Sequence, residues 1–152
     1  MPDPHWTLQS FDQLSNQQLY ALLQARSRVF VMEQQCIYQD QDDIDFHALH
    51  LCCWRGQTLL AYLRIIPAGV SFDEVSIGRV LTTDAARGRG LGKELMQRAI
   101  AACQLHYPSQ GIRIGAQDYL RRFYQDLGFT VDSDIYDEDG IAHVEMIFPA
   151  QA

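Results

Sequence analysis

The sequence has no long apolar run, no excess of basic residues and no cysteine motif, and each absence excludes a class of protein. No uncharged stretch approaches the roughly 18–20 residues that a membrane-spanning helix requires. The chain carries 19 acidic and 12 basic residues, a net charge of −7, which argues against a nucleic-acid partner or an anionic membrane surface. The first residues contain neither a basic nor an apolar region, so we expect no signal peptide.

The four cysteines are not spaced as metal ligands or as a redox pair. None belongs to a Cys-x-x-Cys pair, and Cys52 and Cys53 are adjacent in an apolar run, where successive side chains point to opposite faces. We therefore expect buried free thiols, a cytoplasmic location and no metal site.

What is present is a chain of 152 residues, of which 47% are hydrophobic and 11% aromatic. A chain of this length and composition buries a core without a metal or a disulfide. No repeat, low-complexity tract or linker divides it, so we expect a single domain over residues 1–152.

The hydrophobic pattern predicts a mixture of helices and strands. Ser15 and Gln18 form a capping box at the start of a helix predicted over about 16–30. Residues 31–48 have no regular period and are expected to form a loop with a short helical piece. The remaining expected elements are strands at 50–54, 59–66, 75–82, 112–116, 130–136 and 143–148, and helices at 91–106 and 119–127. This order is typical of a mixed α/β or α+β fold.

Charge is distributed unevenly along the chain. Residues 31–54 contain five acids and no base, and residues 131–146 contain six acids and no base. Residues 87–122 contain seven of the 12 bases and only two acids. A site for an anionic ligand in the basic segment would account for this pattern, and so would a solvated surface.

A glycine-rich turn lies between a predicted strand and a predicted helix. Residues 84–93 read DAARGRGLGK, and Arg87, Arg89 and Lys93 add positive charge to the start of the helix. Glycines allow a close approach of ligand to backbone, and the free N–H groups of a helix N-terminus favour an anion. The turn matches neither a Walker A loop nor a dinucleotide fingerprint, because Glu94 follows Lys93 and the third glycine is missing.

Two motifs in this half of the chain resemble those of the GNAT superfamily of N-acetyltransferases. They are Arg87-x-x-Gly90-x-Gly92 and the segment Phe123-Tyr124-x-x-x-Gly128-Phe129. A narrower resemblance, to the bacterial ElaA-like group, rests on residues along most of the chain: Leu19–Leu23, Arg26, Val29–Val31, Glu33, Gln34, Asp40, Asp42, Asp45, His50, Gly78–Val80, Gly115–Gln117, Tyr136, Glu138–Ile141 and His143. The resemblance implies a GNAT-like α/β fold. Such a fold has a mixed, twisted sheet of six or seven strands, helices on both faces, and a split between the fourth and fifth strands at the cofactor cleft.

The resemblance also implies an activity, the transfer of an acyl group, above all acetyl, from acetyl-CoA to a primary amine. A direct attack in a ternary complex is expected, because no cysteine stands in a nucleophile motif. The acceptor is a small molecule or a peptide, and edge strands of such a fold can form a homodimer. The alternative is a non-catalytic module of the same fold that binds or senses acyl-CoA.

The resemblance places roles on individual residues. Tyr124 takes the position of the acid that protonates the leaving thiolate, although packing against Phe123 and Phe129 would also explain it. Gln117 takes the position of a side chain that bonds the pantetheine arm. The full expected set for acyl-CoA comprises Leu81, Thr82, Arg87, Gly88, Arg89, Gly90, Leu91, Gly92, Lys93, Gln117 and Tyr124.

The general base stays open at this level. By residue type, five side chains are candidates for the general base: Glu33, His143, Glu74, His50 and Glu145. Of these we retain Glu33 and His143 as catalytic residues. Arg64 and Arg79 are expected either to form structural ion pairs or to bind an acidic group of the acceptor. The acids of 33–45 and 132–145 either attract a cationic amine or form a solvated face.

Overall fold

The computed structural model describes residues 3–151, which form an eight-stranded mixed sheet with helices packed on it. The strands are β1 His5–Ser10, β2 Leu49–Arg55, β3 Thr58–Ile66, β4 Val75–Thr82, β5 Ile112–Gln117, β6 Thr130–Val131, β7 Tyr136–Glu138 and β8 Ile141–Phe148. Their order in the sheet is β1-β2-β3-β4-β5-β8-β6, with β7 paired beside β6 on β8. The predicted α/β class is confirmed.

The fourth and fifth strands separate after a short parallel contact. Strands β1 to β4 are antiparallel neighbours, and β5 is antiparallel to β8. Strand β4 pairs with β5 only at Val75 with Ile112 and at Ser76 with Arg113. From residue 77 onward the β5-facing edge of β4 therefore has no partner strand among residues 3–151, and the expected split of the sheet is present.

Within residues 3–151, three α-helices accompany the sheet: α1 Asn16–Arg26, α2 Leu91–His106 and α3 Arg121–Asp126. The capping box predicted at α1 forms, since Ser15 Oγ accepts from Gln18 N–H at 3.1 Å and Gln18 Oε1 accepts from Ser15 N–H at 2.9 Å. The helix does not end at residue 30 as expected. A π-helical turn over Ser27–Glu33 continues it, which carries the chain three residues further.

The helices cover opposite faces of the sheet. Cys52 and Tyr62 pack with Leu22 of α1, whereas Cys53 and Leu63 pack in the cluster that contains the apolar face of α2. This alternation follows from the two-residue period of a strand, and it confirms that the adjacent cysteines point to opposite faces. All four cysteines are free and buried.

Glycine is required where α3 ends. Gly128 has a φ of +109°, and a Cβ at that position would stand 2.9 Å from the Phe148 ring. The N–H groups of Gly128 and Phe129 close the helix on the carbonyls of Gln125 and Tyr124. This is the Schellman arrangement that the sequence predicts for a glycine at this position.

Two parts of the fold differ from the sequence-based expectation. Strand β1 was not predicted, because its six residues lie at the sheet edge and none of them is fully buried. The single strand expected at 130–136 is wrong: β6 and β7 are separate strands, and β7 begins where the expected strand ends and extends to Glu138. Both short strands pair with β8, so the pairing partner rather than local pattern determines their bounds.

Candidate active site

The separation of β4 from β5 opens a cavity of about 590 Å³. Its walls come from β4, β5, α3, the π-helical turn and the loops around residues 34–42 and 136–143. Six of the residues expected to act in binding or catalysis line it: Leu81, Thr82, Arg87, Gln117, Tyr124 and His143.

A bulge in β4 shapes one wall of the cavity. The register between β3 and β4 shifts between the pairs Tyr62–Leu81 and Arg64–Gly78, so that two residues of β4 stand opposite Leu63. Arg79, one of these two, has a φ of +53°. A bulge leaves backbone groups unpaired, and a non-glycine residue at positive φ is a strained conformation of the kind found at functional sites.

The glycine-rich turn adjoins the cavity through Arg87. Gly88 and Gly90 have φ values of +85° and +71°, and a Cβ at either position would meet nothing within 4 Å. Helix α2 begins directly after Gly90, and no side chain caps it. Its first N–H groups are therefore available to an anion, as the sequence predicts. The residues from Gly88 to Lys93 do not themselves line the cavity.

Tyr124 is both packed and available to the cavity. Its ring makes edge contacts with Phe123 and Phe129, with centroids 5.1 and 6.0 Å apart, and it is 7% exposed. Burial raises the pKa of the phenol to about 12, so it carries its proton at neutral pH. No side-chain hydrogen bond engages the hydroxyl within residues 3–151. The two alternatives for this residue, core packing and proton donation, are compatible with each other.

His143 stands opposite Gln117 in the β5–β8 ladder, on the cavity wall. Its Nδ1 lies 2.8 Å from the carbonyl oxygen of Ile141 and its Nε2 lies 3.3 Å from a carboxylate oxygen of Glu138. A carbonyl only accepts hydrogen bonds, so the proton of the neutral ring is assigned to Nδ1. Nε2 then has a free lone pair, and a proton taken up there would be shared with Glu138.

Glu33 lies next to the cavity rather than in its lining. Its carboxylate accepts a hydrogen bond from Arg87 Nη2 at 2.7 Å, and Asp84 accepts another from Arg87 at 2.8 Å. This exposed ion pair joins the π-helical turn to the start of the glycine-rich turn. The carboxylate is thus engaged with a residue expected to bind the ligand.

The three other candidate bases are engaged outside the cavity. Arg113 binds the carboxylates of Glu74 and Glu145, together with that of Asp132. The hydrogen bond from Arg113 lowers the pKa of Glu74. Neither Glu74 nor Glu145 lines the cavity, so we do not retain either acid as a candidate base.

His50 is fully buried and uses both ring nitrogens. Nδ1 lies 2.6 Å from the Tyr62 hydroxyl and Nε2 lies 3.0 Å from the carbonyl oxygen of Asp45. Burial lowers the pKa of the imidazole, which stays neutral. Both ring nitrogens are used in structural hydrogen bonds, and the residue does not line the cavity.

An arginine–aspartate network fixes the loop after the first helix. Its members are Arg26, Arg64, Arg79, Asp40, Asp42 and Asp45. Arg26 is fully buried and binds Asp40 and Asp45, each at 2.7 Å. Arg64 binds Asp42 at 2.6 Å and Asp45 at 2.9 Å. Arg79 binds Asp40 at 2.8 Å. The three positive and three negative charges balance.

The network bears on two open alternatives. Asp40 and Asp45 are each 5% exposed, so these two acids are not available to attract a cationic amine. Arg64 and Arg79 form ion pairs with the loop acids, the first of their two expected roles, and the second role, binding an acidic group of the acceptor, stays a prediction. Three acids line the cavity and keep exposed surface: Asp42, which binds Arg64, belongs to the first acidic stretch, and Glu138 and Asp139 belong to the second.

Several cavity residues were not found by sequence reasoning. Tyr38 and Cys36 lie in the loop without a regular period, Phe72 lies in the loop between β3 and β4, and Tyr119 lies in a short 3-10 turn between β5 and α3. The guanidinium carbon of Arg79 lies over the Tyr38 ring, 5.8 Å from the ring centroid. No local signal identifies such residues, because distant parts of the chain bring them together.

The described residues contain no group of three or more His, Cys, Asp or Glu side chains placed to hold a metal ion. Within residues 3–151 no helix combines the length and the hydropathy needed to cross a membrane.

Comparison with known proteins identifies a family. Residues 9–149 match the family model described as an acetyltransferase (GNAT) domain. The protein ElaA of Escherichia coli is 41% identical over 143 residues, which cover 93% of this chain and 94% of ElaA.

Solved structures agree with the sequence comparison. An acyl-CoA N-acyltransferase from Pseudomonas aeruginosa superimposes with a TM-score of 0.91 at 40% identity, covering 95% of this chain and 99% of that one. The crystal structure of Escherichia coli ElaA superimposes with a TM-score of 0.89 at 39% identity and the same coverage. The resemblance drawn from the sequence motifs is confirmed.

Proposed function

This chain belongs to the GNAT acetyltransferase family, and we propose that it transfers an acetyl group from acetyl-CoA to a primary amine. The amine attacks directly, in a complex that contains both substrates. The observation that carries the proposal is the cavity at the separation of β4 from β5, which is lined by Arg87 at the start of the glycine-rich turn and by the buried, protonated phenol of Tyr124.

The residues present fit coenzyme A as a co-substrate. The glycines at 88 and 90 leave open space above the backbone, and the first turn of α2 offers N–H groups to a pyrophosphate. The side chains of Arg87, Arg89 and Lys93 supply positive charge. The unpaired edge of β4 at Leu81 and Thr82 can bond an extended amide-containing arm as an added strand would, and Gln117 faces it from β5.

The chemistry of the bound co-substrate is a thioester carbonyl that a neutral amine can attack. Unpaired N–H groups at the β4 bulge can stabilise the oxyanion that forms, an effect worth about 3–4 kcal/mol per donor in hydrolases. Tyr124 donates its proton to the departing thiolate. Since the pKa of the phenol is about 12, its hydroxyl is fully protonated before the reaction. The phenolate that remains after proton donation is a strong base.

We propose His143 as the base, with Glu138 as its partner. Nδ1 is held by the Ile141 carbonyl, so Nε2 can accept the proton of an attacking ammonium, directly or through water. Glu33 remains a second candidate, one that becomes free only if Arg87 turns from it to the pyrophosphate.

We further propose that residues 1–152 act as one acyltransferase domain in the cytoplasm. Four free, buried thiols fit a reducing compartment. The acceptor is a small amine or a peptide end, and a homodimer through an edge strand is compatible with the exposed edge at β1.

The test is coenzyme A release from acetyl-CoA, followed by chromatography, with pooled primary amines and with pooled peptides. Tyr124→Phe keeps the aromatic packing and removes only the proton donor, so it is the matched variant. We expect turnover with one pool, and a loss of about 10²–10⁴-fold in kcat for the variant at unchanged acetyl-CoA binding.

Two outcomes would contradict the proposal in different ways. Tight acetyl-CoA binding by calorimetry without turnover of any pool would favour the alternative, a non-catalytic module that binds or senses acyl-CoA. Neither turnover nor binding would show that the cleft is not a coenzyme A site.

A further inference from the structure

Two arginines of the cavity wall retain hydrogen-bond donors that the protein does not use. Arg79 donates hydrogen bonds from Nε and Nη2 to Asp40, while its Nη1 has no protein acceptor within residues 3–151. Its side chain is 23% exposed and lines the cavity. Arg64 is 3% exposed, and its Nε is buried without a protein acceptor in the described chain.

The position of these donors is fixed from behind. Asp40 holds Arg79, and Asp42 and Asp45 hold Arg64, so neither guanidinium can turn away from the cavity without breaking an ion pair. Tyr38 also supports the flat face of Arg79. A donor held rigidly in this way loses little conformational entropy when it binds an acceptor atom.

Gly78 leaves space next to both arginines. A Cβ at this position would stand 4.0 Å from Arg64 Nε and 4.0 Å from Ile66 Cδ1, in the cavity wall and directly before Arg79. The φ of Gly78 is not in the left-handed region, so the backbone does not demand glycine there. We therefore attribute the glycine at position 78 to the space that it leaves in the cavity wall next to the two arginines.

We propose that this pocket, formed by Gly78, Arg64 and Arg79, binds a carboxylate group of the amine acceptor. The proposal deepens the proposed function and rests on it: the acceptor is then an amine that also carries a carboxylate, of the amino-acid type. Arg79 Nη1 supplies the direct contact, and Arg64 borders the pocket with its unpaired Nε. Glu138 and His143, on the same cavity, receive the amino end.

Because the network carries no net charge, it should bind one anion through specific hydrogen bonds rather than attract anions in general. Three carboxylates neutralise the three guanidinium charges, so a ligand gains from the unused donors and not from net charge. Recognition should therefore depend on hydrogen bonding and only weakly on ionic strength.

The first experiment compares matched acceptors with the wild-type protein at saturating acetyl-CoA. Each set contains a free α-amino acid, its amide and the amine that lacks the carboxyl group. We expect kcat/KM to be at least tenfold higher for the free acid, the size of effect that one charged hydrogen bond produces (about 1.4 kcal/mol or more). Equal values across the set would overturn this proposal while leaving the acyltransferase in place.

The second experiment uses variants at the pocket. Gly78→Ala fills the space at ordinary contact distances, and Arg79→Gln removes the free donor. Both should raise the KM for the free acid about tenfold or more and leave the acetyl-CoA KM unchanged, with little effect on the amide. Arg113→Gln is the control, because Arg113 also binds three acids and lies outside the cavity.

Binding alone gives a readout that does not need turnover. With coenzyme A present, the free amino acid should shift the melting temperature of the wild-type protein and not that of Gly78→Ala. A shift in both proteins, or in neither, would contradict the pocket. If no amine at all is acetylated, the proposed function fails, and the shift in melting temperature still tests the pocket by binding alone.

Discussion

The arginine–aspartate network and the glycine-rich turn both concentrate charge beside one cavity, but they use it differently. In the network every aspartate binds at least one arginine, and Arg26 is wholly buried. In the turn, Arg89 and Lys93 bind no acid within residues 3–151, and the helix behind them has no capping side chain. Charge in the first region holds a loop in place, whereas charge in the second is left for a ligand.

The difference lies in burial as well as in pairing. Removing two charges from water is costly unless they meet and most of their hydrogen bonds are made, which the network achieves by placing two arginines on Asp40 and two on Asp45. The exposed turn incurs no such cost, and its unpaired groups stay hydrated until an anion arrives. Substitutions in the two regions should consequently affect different properties.

Breaking the network should give the largest effect. Arg26→Ala leaves Asp40 and Asp45 buried without their common partner, so we expect a loss of about 3–5 kcal/mol in the free energy of unfolding. Chemical denaturation measures it, with Arg122→Ala on the exposed face of α3 as the control. A loss below about 1 kcal/mol would show that the network contributes little to stability.

Acid should weaken the network with a defined sign. Burial alone would raise the pKa of Asp42 and Asp45, but hydrogen bonds from Arg64 and Arg26 outweigh it and lower both below the ordinary value of 3.8. Their stabilising contribution is complete above that pH and is lost as the pH falls through the lower folded-state values. The free energy of unfolding should therefore drop below about pH 4.

A variant separates this effect from general acid unfolding. Asp42→Asn removes one of the titrating groups, so its stability should depend less steeply on pH in the same range. The same slope in both proteins would assign acid sensitivity to other carboxyls, such as those around Arg113.

Changing the turn should give the smallest effect on stability and a selective effect on binding. Arg89→Gln removes an exposed charge, so unfolding should change by no more than about 0.5 kcal/mol. The acetyl-CoA KM should rise by about two- to fivefold, and the difference should shrink at high salt because exposed charges are screened. Arg122→Gln serves as the control. An acetyl-CoA KM that changes neither with the Arg89→Gln substitution nor with salt would count against the turn as the anion site.

Local chemistry made much of the turn predictable from the sequence. The glycines before an apolar helix face, the basic residues between them and the tyrosine before Gly128 are all contained within short motifs. Apolar runs likewise located β2, β3, β4 and β5 to within one residue at each end.

The network was not predictable in the same way, because its partners lie 14 to 39 residues apart. The signals were present but ambiguous: five acids without a base in residues 31–54, and arginines inside apolar segments at 26 and 64. Only the fold shows that they meet. The engagement of Glu74 and Glu145 by Arg113 is hidden for the same reason.

Calorimetric titration of the full chain with acetyl-CoA tests the central claim most directly. We predict one binding site per chain, with a Kd between about 1 μM and 1 mM as for typical substrates. We also predict weaker binding by Arg89→Gln and unaltered binding by Arg122→Gln. Absence of binding, or equal binding by both variants, would contradict the assignment of the cleft and its glycine-rich turn to acyl-CoA.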